Sequence, residues 1–100
     1  MAPLTARVGQ AEVTWLDGAL LVALPHGAVL VDAPPGVERA LADTGRLGTV
    51  TGVVVTNDRW RAVGGLLGVC AAITEARGRR PGLHLVHPLS CERVVTVADT

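Results

Sequence analysis

The chain has 100 residues, of which 49% are hydrophobic and 18% charged, with nine basic and nine acidic side chains and a formal net charge of zero. This length and composition indicate one folded domain over residues 1–100 with a modest hydrophobic core. Zero net charge and an aromatic content of 2% argue against nucleic-acid or anionic-membrane partners, which need a positive field or stacking side chains.

The first third of the chain predicts a β-meander. Three short apolar runs separated by turn residues predict strands: residues 11–16, 19–24 and 28–32. Asp17-Gly18, between the first two of these predicted strands, is a strong signal for a two-residue hairpin turn. Trp15 alternates in step with Val13, so we expect its indole to pack in the core. Pro34-Pro35-Gly36 then ends the sheet.

From Val37 onward the apolar spacing becomes that of a helix, which is predicted to end at Gly45. Residues 50–55 are nearly all apolar, as expected of a strand covered on both faces. The following elements are predicted as a long apolar helix at 64–76, a strand at 83–86 and a last strand at 94–97. The fold class is therefore α/β, a β-meander followed by αβαβ.

The sequence pattern predicts neither a signal peptide nor a membrane-spanning segment. The N-terminus lacks the charged start and apolar core of a signal peptide, and the longest apolar run, residues 19–24, is too short to cross a bilayer. We therefore expect a cytoplasmic protein. Abundant Ala, Gly, Val and Arg without lysine indicate a GC-rich, bacterial genome. Cys70 and Cys91 are too far apart for a CxxC site.

The most informative segment is V-V-V-T-N-D-R-W-R-A-V-G-G-L, residues 53–66. It resembles the metal-binding motif of the metallo-β-lactamase fold, T-H-x-H-x-D-H-x-G-G-L. The frame of that motif is kept at Thr56, Gly64, Gly65 and Leu66. Its four ligand positions are occupied by Asn57, Arg59, Arg61 and Ala62, none of which is a good zinc ligand. We therefore expect no metal, no other cofactor and no catalytic residue.

A second segment supports the resemblance. G-A-V-L-V-D-A-P-P-G, residues 27–36, is similar to the early strand and turn of the same fold, in which an aspartate supports the metal loop without binding the metal. The resemblance gives Asp32 that role, although Pro34 replaces the usual glycine. It implies half of an αββα sandwich whose apolar sheet face lacks its usual cover. Because such a face normally marks an interface, we expect a homodimer or a hetero-oligomer with another protein.

The altered loop offers three interpretations. Its interaction residues would be Asn57, Asp58, Arg59, Trp60 and Arg61. The indole of Trp60 either fills the vacated pocket or anchors a partner, because tryptophan and arginine are typical of interface hot spots.

The same arginines have two further roles open to them. Arg59 or Arg61 could form a structural charge pair with Asp32, or both could point into solvent. They could also cradle an anion at the helix start, Gly64-Gly65. The sequence favours a non-catalytic interaction or scaffold subunit of a bacterial multiprotein assembly. The alternatives are a metallo-hydrolase-like enzyme completed by a partner chain, and an anion- or nucleotide-binding module.

Overall fold

The computed structural model describes residues 4–78 and 84–87. In chain order, the elements of these residues are β1 (Thr5–Val8), β2 (Ala11–Trp15), β3 (Leu20–Leu24), β4 (Gly27–Val31), α1 (Val37–Asp43), a 3₁₀ turn (Leu47–Thr49), β5 (Val50–Val54), α2 (Trp60–Val63), α3 (Leu66–Arg77) and β6 (His84–Val86). The α/β class and the β-meander followed by αβαβ are confirmed.

The six strands form one sheet in sequential order, β1-β2-β3-β4-β5-β6. The first four strands pair antiparallel, whereas β4 with β5 and β5 with β6 pair parallel. Parallel neighbours need a crossover, and α1 supplies the first while α2 and α3 supply the second. Both crossovers bring the chain back across the same side of the sheet, where the core lies.

The core fills the space between the helices and one sheet face. Its largest fully buried side chains come from the strands and from α1 and α3: Leu21, Leu30, Val50, Val53, Leu41, Leu66, Val69 and Ile73. The exposed fraction of each is 1% or less. Each such side chain contributes on the order of 1.5–3 kcal/mol by leaving water, so this layer stabilises the fold.

The opposite sheet face carries three rows of register-paired residues, which we call the open face. The rows are Trp15, Leu20, Val31, Val54 and Val86; Ala6, Val13, Val22, Val29, Gly52 and His84; and Val8, Ala11, Leu24 and Gly27. His84 is the one non-apolar member. No helix of residues 4–78 covers this face, and its residues are half-buried or exposed except for Gly52, which is buried.

Three details differ from the sequence expectations. Trp15 is 47% exposed on the open face, while its neighbour Thr14 is buried at 6%, so the predicted core face of β2 is wrong. The sequence pattern places no strand at β1, which is exposed along its length. The helix predicted for 64–76 corresponds to α3, but a further short helix, α2, begins at Trp60 inside the predicted loop. The predicted strand at 94–97 lies outside the described residues.

Candidate functional site

Asp32, directly after β4, fixes the residue that leads out of β5. Its carboxylate accepts the backbone N–H of Thr56 at 2.8 Å and the Thr56 hydroxyl at 2.9 Å. Asp32 has a φ of 66°, in the left-handed region that aspartate adopts more readily than most residues. Asp32 therefore holds the start of the loop, the role that the resemblance gives it.

Asn57 extends this contact into the loop. Its side-chain N–H donates to the Thr56 hydroxyl oxygen at 3.1 Å, and its side-chain oxygen accepts the backbone N–H of Arg59 at 2.9 Å. An asparagine that bonds the backbone two residues ahead closes an Asx turn. The polar chain Asp32–Thr56–Asn57–Arg59 thus shapes the segment in which the related motif has its first two ligands.

The backbone ties the same region together. Ala33 donates its N–H to the carbonyl of Ala62 at 2.7 Å, and Gly65 donates to the carbonyl of Ala33 at 2.6 Å. A Cβ on Gly65 would lie 2.1 Å from the Pro34 carbonyl oxygen, which no side chain can tolerate. The second glycine of the motif is therefore required by packing against the segment after β4, whether or not a metal is bound.

The two loop arginines are both exposed. Within the described residues, ion pairs join Glu12 to Arg7 and to Arg46, and none joins Asp32 to Arg59 or Arg61. Of the two alternatives for these arginines, a charge pair or exposure to solvent, both side chains adopt the second, and Asp32 bonds to Thr56 instead.

The third interpretation of the loop places an anion at the two glycines. Gly64 donates its N–H to the carbonyl of Trp60 at 2.7 Å, and the N–H of Gly65 is used by Ala33. Neither N–H is available to a ligand.

Trp60 lies on the surface rather than in a pocket. It begins α2, and its side chain is 69% exposed, so it does not fill a vacated metal site. A Cβ on Gly64 would lie 2.6 Å from the indole, so the ring packs directly against this glycine. The first glycine of the motif therefore leaves room for the indole of an exposed tryptophan to pack against the backbone.

The described residues hold no metal-binding cluster. In the ranges 4–78 and 84–87, no group of three His, Cys, Asp or Glu side chains converges on one point. The motif's ligand positions carry an amide, two guanidiniums and a methyl group. The donor set does not fit a zinc ion, which needs thiolate, imidazole or carboxylate ligands.

The sequence matches no protein-family model and no curated protein. Solved structures do match the fold. Human tRNase Z, short form, superposes with a TM-score of 0.52 at 17% identity, covering 69% of this chain and 37% of that chain. A HARLDQ motif mutant of a Cronobacter sakazakii metallo-β-lactamase superposes with a TM-score of 0.57 at 16% identity, covering 85% and 33% of the two chains.

The chain has part of the metallo-β-lactamase fold. A third structure, the metallo-β-lactamase SMB-1 bound to 2-mercaptoethanesulfonate, agrees, with a TM-score of 0.57 and 18% identity over 85% of this chain. The chain spans about a third of the length of these structures, 37%, 33% and 32%. Identities this low establish the architecture and do not transfer an activity.

Within this metallo-β-lactamase-like domain, two surface features remain as candidates for function. One is the open face, and the other is the exposed loop that carries Trp60, Arg59 and Arg61. Sequence reasoning anticipated an uncovered sheet face through the resemblance. It missed which residues form it, because strand alternation alone does not say which face the helices cover. No helix among the described residues is long and apolar enough to span a membrane.

Proposed function

We propose that this metallo-β-lactamase-like domain is a non-catalytic protein-interaction module that docks its open face on the same face of a second copy. The observation that supports the proposal is the composition of the open face. Its three rows contain no charged residue, and single members such as Trp15 and Val86 are exposed at 47% and 60%.

The size of the open face suits a modest interface. With strands about 4.8 Å apart and a rise of about 3.3 Å per residue, six strands of three to five residues cover roughly 400 Å² in projection. The largest apolar patch on a typical monomer covers about 300–600 Å² and is often functional, whereas a standard stable interface buries about 800 Å² on each partner. We therefore expect reversible association in the micromolar range, strengthened by contacts at the rim.

A second copy fits the open face for an electrostatic and a geometric reason. Two such faces bring no like charges together and bury no unpaired charge, because neither contains an acid or an arginine. The formal net charge of zero also removes long-range repulsion between copies. Flat valine-rich sheets pack face to face about 10 Å apart with their strands roughly aligned, as in β-sandwiches.

The loop lies at the end of the sheet where it can contribute to the rim. Trp15, Val31, Val54 and Val86 share one register row, and Thr56 leaves β5 two residues beyond Val54. The exposed Trp60 and the two arginines belong to the residue types that dominate interface energetics. We expect this loop to add specificity to contacts that the open face initiates.

Site-specific photo-crosslinking tests this function. A photoreactive phenylalanine analogue at Val22, in the middle row of the open face, is compared with the same analogue at Leu67. Leu67 is the matched control because it is an apolar side chain, 50% exposed, on the helical side of the sheet. We expect dimer-sized adducts from position 22 and none from position 67. Equal yields from both positions, or none from position 22, would contradict the proposal.

Metal analysis separates this function from the hydrolase alternative, since two of the solved neighbours are named as metallo-β-lactamases and one as a tRNase Z. The chain is expressed in zinc-supplemented medium and purified. The metal content of the monomer and of the dimer is then measured separately by inductively coupled plasma mass spectrometry. We expect substoichiometric metal in both forms. One zinc per chain in the dimer would favour a site completed by the partner and overturn the non-catalytic assignment.

A further inference from the structure

A cavity lies at the other end of the sheet from the Trp60 loop, beside the first residues of β4 and β5. It has a volume of about 380 Å³, and its lining includes Arg46, Arg77, His26, Thr49 and the backbone at Gly48. We call it the basic cavity. No acidic side chain is among the described residues that line it. The volume is at the lower end of the range for small-molecule sites.

Arg77, the last residue of α3, is held rigidly at this cavity. Its Nε donates to the carbonyl of Gly48 at 3.0 Å, and its Nη2 donates to the carbonyl of Val50. These bonds use two of the five N–H groups of the guanidinium. The side chain is half-buried, and no carboxylate of the described residues lies within ion-pair distance of it. A partly desolvated cation without a counter-charge favours an anion nearby.

Arg46 brings a second guanidinium to the same cavity. One of its terminal nitrogens lies 3.3 Å from the Glu12 carboxylate, which neutralises it in part and fixes its position. Its remaining N–H groups are left for another acceptor. The imidazole of His26, in the turn between β3 and β4, adds a further polar group. The lining thus combines two positioned guanidiniums with neutral donors and acceptors.

We propose that the basic cavity binds a small phosphate-bearing anion. Guanidinium groups bind phosphate oxygens in pairs of parallel hydrogen bonds, and the two arginines could engage different oxygens of one group. The basic cavity adjoins the open face at Leu24 and Gly27, but its two arginines lie outside the open-face rows, so the proposal does not depend on self-association. A purely structural role for Arg77 is the competing explanation, since a cation is favourable at a helix C-terminus in any case.

Titration of the ¹⁵N-labelled protein with inorganic phosphate and pyrophosphate, against chloride at equal ionic strength, tests the site. We expect saturable shifts of the Gly48, Thr49 and Thr51 amides at millimolar or lower ligand. Arg46→Gln should weaken binding at least about tenfold, since it removes paired charge-assisted hydrogen bonds. The matched control is Arg39→Gln, which removes the same charge from an exposed position on α1.

Each outcome decides the proposal. Saturable wild-type shifts that Arg46→Gln weakens and Arg39→Gln leaves unchanged support the site. Linear, non-saturating shifts of the wild-type amides overturn the proposal, and this result does not depend on any variant. Equal weakening by both variants also overturns it, because that result reports total charge rather than a local site. The same spectra show whether each variant is folded.

Discussion

Gly65→Ala tests whether the Gly-Gly frame of the motif survives for packing reasons rather than for metal binding. The added Cβ would lie 2.1 Å from the Pro34 carbonyl oxygen, 2.7 Å from the Pro34 carbonyl carbon and 2.9 Å from the Ala33 carbonyl oxygen. Because real Cβ contacts stay above 3.0 Å, the start of α3 and the segment after β4 must separate by at least 3.0 − 2.1 = 0.9 Å. The 2.6 Å hydrogen bond from Gly65 to Ala33 would lengthen accordingly.

The expected cost combines two effects. Overpacking of this kind costs about 1–3 kcal/mol, and losing a backbone hydrogen bond costs about 1 kcal/mol more. Replacing glycine restricts the unfolded chain and returns about 0.4–1 kcal/mol. The net loss is about 1–4 kcal/mol with a midpoint near 2 kcal/mol, and that midpoint lowers the Tm of a domain of this size by roughly 8–16 °C.

Thermal unfolding followed by circular dichroism measures this loss. The matched control is Gly48→Ala, since a Cβ at Gly48 meets no atom within 4 Å. We expect the control to change stability by less than about 0.5 kcal/mol. If the Gly65 variant melts within a few degrees of the Gly48 variant, the packing explanation for the motif frame is refuted.

Three further predictions concern the loop and the metal. Thr56→Val removes the hydroxyl between Asp32 and Asn57 and should lower the free energy of unfolding by about 1 kcal/mol in urea titrations, with Thr56→Ser near wild type. Trp60→Ala should leave the Tm nearly unchanged, because the side chain is 69% exposed, yet should weaken self-association in light scattering; a large loss of Tm would show that the indole is structural. Zinc chloride and EDTA should give the same Tm, whereas a zinc-dependent rise would indicate a metal site that stabilises the folded state.

The sequence predicted the fold well because two kinds of local signal agree. Turn residues such as Asp17-Gly18 mark the hairpins, and helical spacing marks α1 and α3. The extent of α2 could not be foreseen, since the helical turn from Trp60 to Val63 depends on the Asx turn at Asn57. The assignment of Trp15 to the core failed because alternation defines two faces without saying which one the helices cover.

The site was predictable only in outline. The loss of metal ligands at Asn57 and Arg59 could be read directly from the motif. What replaces the metal could not, because the sequence left open both an arginine–aspartate pair and arginines that point into solvent. In the structure the Asp32 carboxylate accepts hydrogen bonds from the N–H and the hydroxyl of Thr56. These bonds satisfy the carboxylate without burying a guanidinium group. The basic cavity could not be predicted from the sequence, because Arg46 and Arg77 are separated by 31 positions. The two side chains come to line one cavity only because the end of α3 places Arg77 there.

Sedimentation equilibrium over a concentration series tests the central claim, self-association through the open face, most directly. The wild type is compared with Val22→Asp, which places a carboxylate in the middle row, and with Leu67→Asp, the same change on the helical side. We expect a monomer–dimer equilibrium in the micromolar range for the wild type and for Leu67→Asp, and a folded monomer for Val22→Asp. A wild type that stays monomeric at every concentration, or a Val22 variant that dimerises like the wild type, would contradict the account.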